Sequence, residues 1–165
     1  MNHHALEVIL LGFFFYLTNF ATAQTPTILS TTDHCHDFPS GAIVTFADSD
    51  LAEVVTEALG LDAGAAISCG QAAELNELIV GTSIERVVYG GTLRPSPSKP
   101  FESLDGIQNL TGLTRLTIIN RLITNIGPLR SLKNLVTLNL HTNWFSDLRP
   151  LEDLINLEQL IISEN

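Results

Sequence analysis

His34, Cys35, His36 and Asp37 stand side by side in "HCHD", a dense run of metal-ligating side chains. Adjacent residues point in different directions and rarely all ligate one ion, and no second ligand pair at zinc spacing follows. Cys69 offers another use for the thiol. Two cysteines in an oxidising compartment favour a bridge. A Cys35–Cys69 disulfide would close a loop worth about 3–4 kcal/mol on the chain-entropy estimate. The disulfide is the leading reading, with free thiols second and a metal third, and "HCHD" is otherwise a solvated segment.

Carboxylates form the next cluster. Glu53, Glu57, Glu74 and Glu77 suit either paired acid–base catalysis or a solvated helix face, and the second reading is favoured. A Ser163–His141–Asp147 triad can be drawn, although nothing in the spacing demands it. The chain has no Gly-x-Ser-x-Gly elbow, no phosphate-binding Gly-Lys loop and no His-Glu-x-x-His pair. Neither an enzyme nor a cofactor or metal site is expected. A net charge of −10, with no basic run to reverse it locally, argues against a nucleic-acid or anionic-membrane partner.

The elements around these residues are more informative. "VILLGFFFYLTNF" (8–20) is an apolar core of signal-peptide length, followed by the small residues of "ATA" (21–23). The reading is a leader over residues 1–23 cleaved before Gln24, with an uncleaved anchor as the alternative. The polar, turn-rich stretch 24–45 reads as a surface loop. In "FADSDLAEVVTEALG", Leu51, Val54, Val55, Ala58 and Leu59 trace one helical stripe. Asp48, Ser49 or Asp50 caps its start, and Gly60 ends it left-handed. "SCGQAAELNELI" predicts a second short helix, with Ser68 and Gln71 at capping-box spacing and Leu75, Leu78 and Ile79 buried.

From Leu104 onward the chain repeats. Leu113, Leu135 and Leu157 lie 22 residues apart, as do Leu116, Leu138 and Leu160, and Ile118, Leu140 and Ile162. The register extends to Leu104, Ile126 and Leu148; to Ile107, Leu129 and Leu151; and to Leu110, Leu132 and Leu154. Such a period signals stacked units that bury their apolar sides against one another. L-x-x-L-x-L ends in period two, which predicts a short strand. The later apolar residues come every three positions, which predicts a 3₁₀-like return.

These units resemble the 22-residue leucine-rich repeats of the internalin type. Leu135, Leu138, Leu140, Asn143, Phe145, Leu148, Pro150, Leu151, Leu154 and Asn156 fill that pattern, and the preceding unit fills it from Leu113 to Asn134. The helical segment near Leu51 resembles the cap that precedes such repeats. The resemblance implies an α/β solenoid with short parallel strands on a concave face, 3₁₀ or irregular convex returns and a helical amino-terminal cap. On that frame, 46–83 is the cap and 84–165 the repeats, the last incomplete. The resemblance also implies an asparagine ladder. Asn143 and Asn165 match it, whereas Arg121 occupies the first rung, which is lost unless Asn120 replaces it. "IERVVYGG" reads as an earlier strand with Ile84, Val87 and Tyr89 inward, and the proline-rich Arg94–Phe101 as an inserted loop.

Strand alternation turns Arg86, Val88 and Gly90; Arg115, Thr117 and Ile119; Thr137, Asn139 and His141; and Gln159, Ile161 and Ser163 away from the core. The mixed column suits a protein surface better than a small apolar ligand, and the resemblance implies a protein or a glycan partner. Trp144 is either an aromatic anchor at the rim or a side chain folded over the turn. "NLT" at Asn109 would accept an N-glycan in a eukaryotic source. The expected function is a secreted or surface recognition module binding through this face. The alternative is a structural stalk of a longer surface protein. The last unit would leave Leu151, Leu154, Leu157, Leu160 and Ile162 bare, which fits a fragment or end-to-end pairing. Membrane contact would come only through the leader or a missing carboxy-terminal region.

Overall fold

The computed structural model describes residues 25–81 and 101–165, together with the backbone of 86–89 and 92–95. The leader expected over 1–23 lies outside the described residues. Helix α1 spans Ser49–Ala58, with Asp48 as its cap: the carboxylate accepts from the backbone N–H of Asp50 and Leu51. Leu51, Val54 and Val55 are fully buried, as the stripe requires. Gly60 ends the helix at φ +69, where a side chain would be strained.

The second helix is shorter than expected. Helix α2 spans Cys69–Glu74 and opens on the Ser68/Gln71 capping box. The chain then turns extended at Leu75. Leu78 and Ile79, expected on the helix, lie instead in strand β3, Glu77–Val80, whose burial alternates. Period-two burial overrides the helical reading because Leu78 and Val80 face the core while Glu77 and Ile79 do not.

The segment 24–45, expected as a surface loop, is partly interior. Leu29, Ala42 and Val44 are buried. Strand β1, Ile43–Val44, pairs antiparallel with β2, Ile67–Ser68. Cys35 and Cys69 form a disulfide, which pins this segment to α2 across a Cα–Cα distance of 5.5 Å.

A second sheet has six strands in the order β5 (Thr92–Pro95), β4 (Arg86–Tyr89), β3, β6 (Arg115–Ile118), β7 (Thr137–Asn139) and β8 (Gln159–Ile161). Strands β6, β7 and β8 are parallel and step by one repeat, so that Leu116 registers with Leu138 and Leu138 with Leu160. The parallel neighbour of β6 is β3, with Glu77 opposite Arg115. This corrects the expected first repeat strand. Residues Arg86–Tyr89 form β4, which runs antiparallel between β3 and β5, Thr92–Pro95. A hairpin therefore replaces both the expected parallel strand and the start of the expected proline-rich loop, since Arg94 and Pro95 belong to β5. Ile84, Gly90 and residues 96–100 lie outside the described residues, as do the side chains of Val87 and Tyr89.

Opposite the sheet, short 3₁₀ turns stack at Ile107–Asn109, Gly127–Ser131 and Arg149–Leu151. Backbone bonds three residues apart continue through each return: Leu110 N–H to Ile107 O at 2.9 Å, Leu132 to Leu129 at 3.0 Å, and Leu154 to Leu151 at 3.1 Å. The three-residue apolar spacing is the cause, because side chains three apart share one face of a 3₁₀ turn. Between sheet and turns runs one core from Leu29 to Leu154, in which Phe101, Leu113, Leu116, Ile118, Leu135 and Leu138 are fully buried. The last rung is less bare than expected. Leu154 is buried, Leu151, Leu157 and Ile162 are half-buried, and Leu160 is 43% exposed.

Candidate functional site

The face of the sheet away from the core is built by alternation. On β6, Leu116 and Ile118 are buried while Arg115 is exposed and Thr117 half-buried. On β7, Leu138 is buried between half-buried Thr137 and Asn139. Parallel register then lines up equivalent positions: Arg115 with Thr137 and Gln159, and Thr117 with Asn139 and Ile161. Six expected residues thereby reach one surface, with Ile119 just beyond β6 half-buried beside them. His141 and Ser163 continue it past the strand ends.

Two members of this surface escaped the sequence reading. Glu77 and Ile79 hold the rung that had been given to Arg86 and Val88. Glu77 receives the Arg115 guanidinium at 2.6 Å. The missed signal was alternation in "ELIV", where Leu78 and Val80 are the inward pair. Arg86 and Val88 lie on the antiparallel β4, where Val88 registers with Ile79.

Electrostatics on the face are local. Arg115 and Glu77 are partly exposed and form an ordinary surface pair, of the kind worth about 0–1 kcal/mol. His141 Nδ1 lies 2.8 Å from Ser163 Oγ, and its Nε2 lies 3.9 Å from Glu164. The imagined triad is thus half present. Asp147 is bonded instead to Arg149, accepting from its guanidinium at 2.9 and 2.7 Å and from its backbone N–H at 3.0 Å. Those bonds hold the Asp147 carboxyl down at about 2. The imidazole meets the serine through Nδ1 rather than Nε2, and the carboxylate lies beyond hydrogen-bond reach, so the relay of a serine hydrolase is not assembled. Glu53 and Glu74 are exposed, on α1 and at the end of α2. Among the described residues, no three His, Cys, Asp or Glu side chains gather as metal ligands. His36 and Asp37 stay solvated, 3.3 Å apart.

The backbone under the face is fixed by the asparagine ladder. Asn143 is buried; its Nδ2 donates to Ile118 O at 2.8 Å and Leu140 O at 3.0 Å, and its Oδ1 accepts from the N–H of Arg121 and Ile123. Asn165 repeats the pattern, donating to Ile162 O at 2.8 Å and accepting from Asn143 N–H at 3.1 Å. Arg121 holds the first rung, nearly buried, with Nη1 donating to Asn120 O at 3.1 Å. Asn120 does not replace the missing side chain. It sits left-handed at φ 56, as Thr142 and Glu164 do one and two repeats later, and the extra distortion falls on Leu122 at φ 59. A second ladder runs on the other side: Asn134 Nδ2 reaches Thr111 O, and Asn156 Nδ2 reaches Lys133 O.

At the rim, Trp144 is 71% exposed, which removes the reading that it folds over the turn. Asn109, the expected glycan acceptor, is 1% exposed, and its amide binds Cys35 N–H and Asp33 O. An acceptor held that way is closed to a glycosylating enzyme in the folded protein.

An internalin from Listeria monocytogenes (InlF) superposes on 72% of the chain with a TM-score of 0.59 and 27% identity. The fold is that of the internalin-type leucine-rich repeats. The chain spans about a third of InlF's length, 31%. Looser likenesses are a second Listeria internalin, InlC2 (19% identity, TM-score 0.43, 78% of this chain and 72% of that one), and the CBM51-2 and INT domains of Clostridium perfringens ZmpB in complex with GlcNAc (23%, 0.37, 74% and 18%). No family model and no curated protein matches the chain. In this repeat the ladders and the leucine columns hold the frame; the outward strand positions belong to neither, and of them Asn139 adds only a local bond, its Oδ1 accepting the His141 N–H at 3.1 Å.

Proposed function

We propose that this chain is a recognition module of the cell surface or the extracellular space, rather than an enzyme. The sheet is the concave inner face of a solenoid, with α1 and α2 in an amino-terminal cap, and this face binds a protein or a glycan-bearing protein. One observation carries the reading. Arg115, Thr117, Thr137, Asn139, Gln159 and Ile161 share one face in strict register, while the residues between them on β6 and β7 are buried. Side chains so displayed are fixed in spacing by the core and free in identity, which is what a recognition surface needs. Exposed Ile161 and Trp144 supply apolar anchors beside polar neighbours, and anchors of that kind tend to dominate interface energy. The Cys35–Cys69 bridge suits an oxidising compartment.

The test is substitution on the face with folding monitored in parallel. Arg115→Ala, Asn139→Ala and His141→Ala should each weaken partner binding and leave the circular-dichroism spectrum and melting temperature in place. Unchanged affinity in all three would overturn the assignment.

A further inference from the structure

The other side of the molecule carries a feature that recognition by the sheet does not use. Two adjoining clefts, of about 250 and 320 Å³, share His34, Gln108 and Ser131 as common walls. They lie between the segment around Thr32–His36 and the 3₁₀ turns that end near Ser131. One wall is held firmly. Gln108 Nε2 donates to Thr31 O at 2.7 Å and Asp33 O at 3.1 Å, Asn109 binds both Asp33 and Cys35, and the disulfide anchors Cys35 from behind. The other wall is the stacked returns, which bring Arg130, Ser131 and Lys133 to the opening.

Most lining side chains are polar in type, although most of the surface they present to the clefts is apolar, and part of the polar set is idle. Lys133 is committed to Asp153 at 3.4 Å. Arg130, by contrast, makes no hydrogen bond or ion pair among the described residues. Ser131 and Thr111 offer hydroxyls, and Asn125 keeps its Nδ2 free while its Oδ1 holds Gly127 N–H. His34 and His36 present a tilted pair of rings with centroids 5.3 Å apart. Asp105 is the one carboxylate in the lining. In a chain of net charge −10, this is a cluster of donors around a guanidinium that holds no hydrogen bond among the described residues, with the Asp147 charge acting on it from nearby.

We propose that these clefts form a second binding site, on the face opposite the sheet, for a short acidic saccharide. A guanidinium fork matches a carboxylate bidentately and prefers it to a neutral group. Hydroxyl, amide and imidazole donors match the ring hydroxyls of a sugar, and the paired rings supply an edge for its apolar face. An apolar ligand would leave these donors unsatisfied. A bare inorganic anion would use Arg130 and the nearest donors and leave the rest of the clefts, with their apolar surface, unfilled.

The experiment is calorimetric titration of the full chain, disulfide intact, with digalacturonate, the matching neutral digalactoside and inorganic sulfate, read alongside amide chemical shifts. The expected result is saturable binding of digalacturonate, with the neutral sugar and sulfate each weaker by about tenfold or more. Arg130→Ala should cost about tenfold, and Glu53→Gln on α1 should change nothing. Shifts should be confined to 31–36, 105–111 and 125–133. Arg130 is exposed, so its removal does not threaten folding. Absence of saturable binding, equal affinity for the neutral sugar or for sulfate, indifference to Arg130→Ala, or shifts centred on the strands would each overturn the proposal.

Discussion

Replacing Asn143 by alanine should destabilise the protein far more than the same change at Asn165. The two residues sit at equivalent positions in successive repeats, and the difference is burial. Asn143 is 2% exposed, and its amide serves four backbone groups: the carbonyls of Ile118 and Leu140 and the N–H groups of Arg121 and Ile123. Alanine leaves all four without that partner in an interior where water has little access. At about 1 kcal/mol per bond, the loss is about 4 kcal/mol, and unsatisfied groups push it upward. That is a large share of the roughly 5–15 kcal/mol that stabilises a domain. Asn165 donates to Ile162 O and Ser163 O in the open, where water replaces it, while its bonds to Leu140 O and from the Asn143 N–H are partly buried, so its loss should cost less, about 2 kcal/mol. The assay is urea unfolding followed by circular dichroism, with the two variants compared at equal m-value. If Asn143→Ala costs no more than Asn165→Ala, the ladder does not hold the repeats together as argued.

Two further predictions follow from the same framework. Replacing Cys35 and Cys69 together by alanine should lower stability by about 3–4 kcal/mol, because the bridge spans 34 residues of sequence, and urea unfolding measures it. Asp147 should titrate near 2 in the folded protein, since the bonds from Arg149 favour its charged form. Its folded value lies below its ordinary value, so the pair's small stabilisation is present above about pH 4 and fades as pH falls toward 2. Arg149→Gln should raise Asp147 toward the usual carboxylate range, with the backbone N–H of residue 149 still holding it somewhat below, read by NMR titration.

The fold was legible where a period is long and strict. Six apolar columns in 22-residue register gave the strands, the 3₁₀ returns and the inward leucines. Capping chemistry placed Ser68 and narrowed the first cap to Asp48, Ser49 or Asp50, of which Asp48 serves, because each cap needs only local residues. The first rung was misread because "ELIV" follows a real helix without a breaker, and its apolar residues fit either period. Only pairing with β6 decides between them, and that pairing is 38 residues away, from Glu77 to Arg115. The β4–β5 hairpin fell to the same blindness: β-rich residues announce a strand but not its direction. Gln108 gave no signal, and Asn109 only that of a glycan acceptor, which its burial closes off. Their value lies in holding a segment some 75 residues earlier, and no spacing records that contact.

The most direct test of the account concerns the sheet face. A photo-crosslinking residue would be placed singly at Thr117, Asn139 and Ile161 on that face, and at Glu158 and Asn156 away from it, and the protein applied to the cells it meets. The account predicts one discrete protein adduct, the same from Thr117, Asn139 and Ile161, and none from the other two positions. Adducts of equal yield from both sets, or from Glu158 and Asn156 alone, would contradict it.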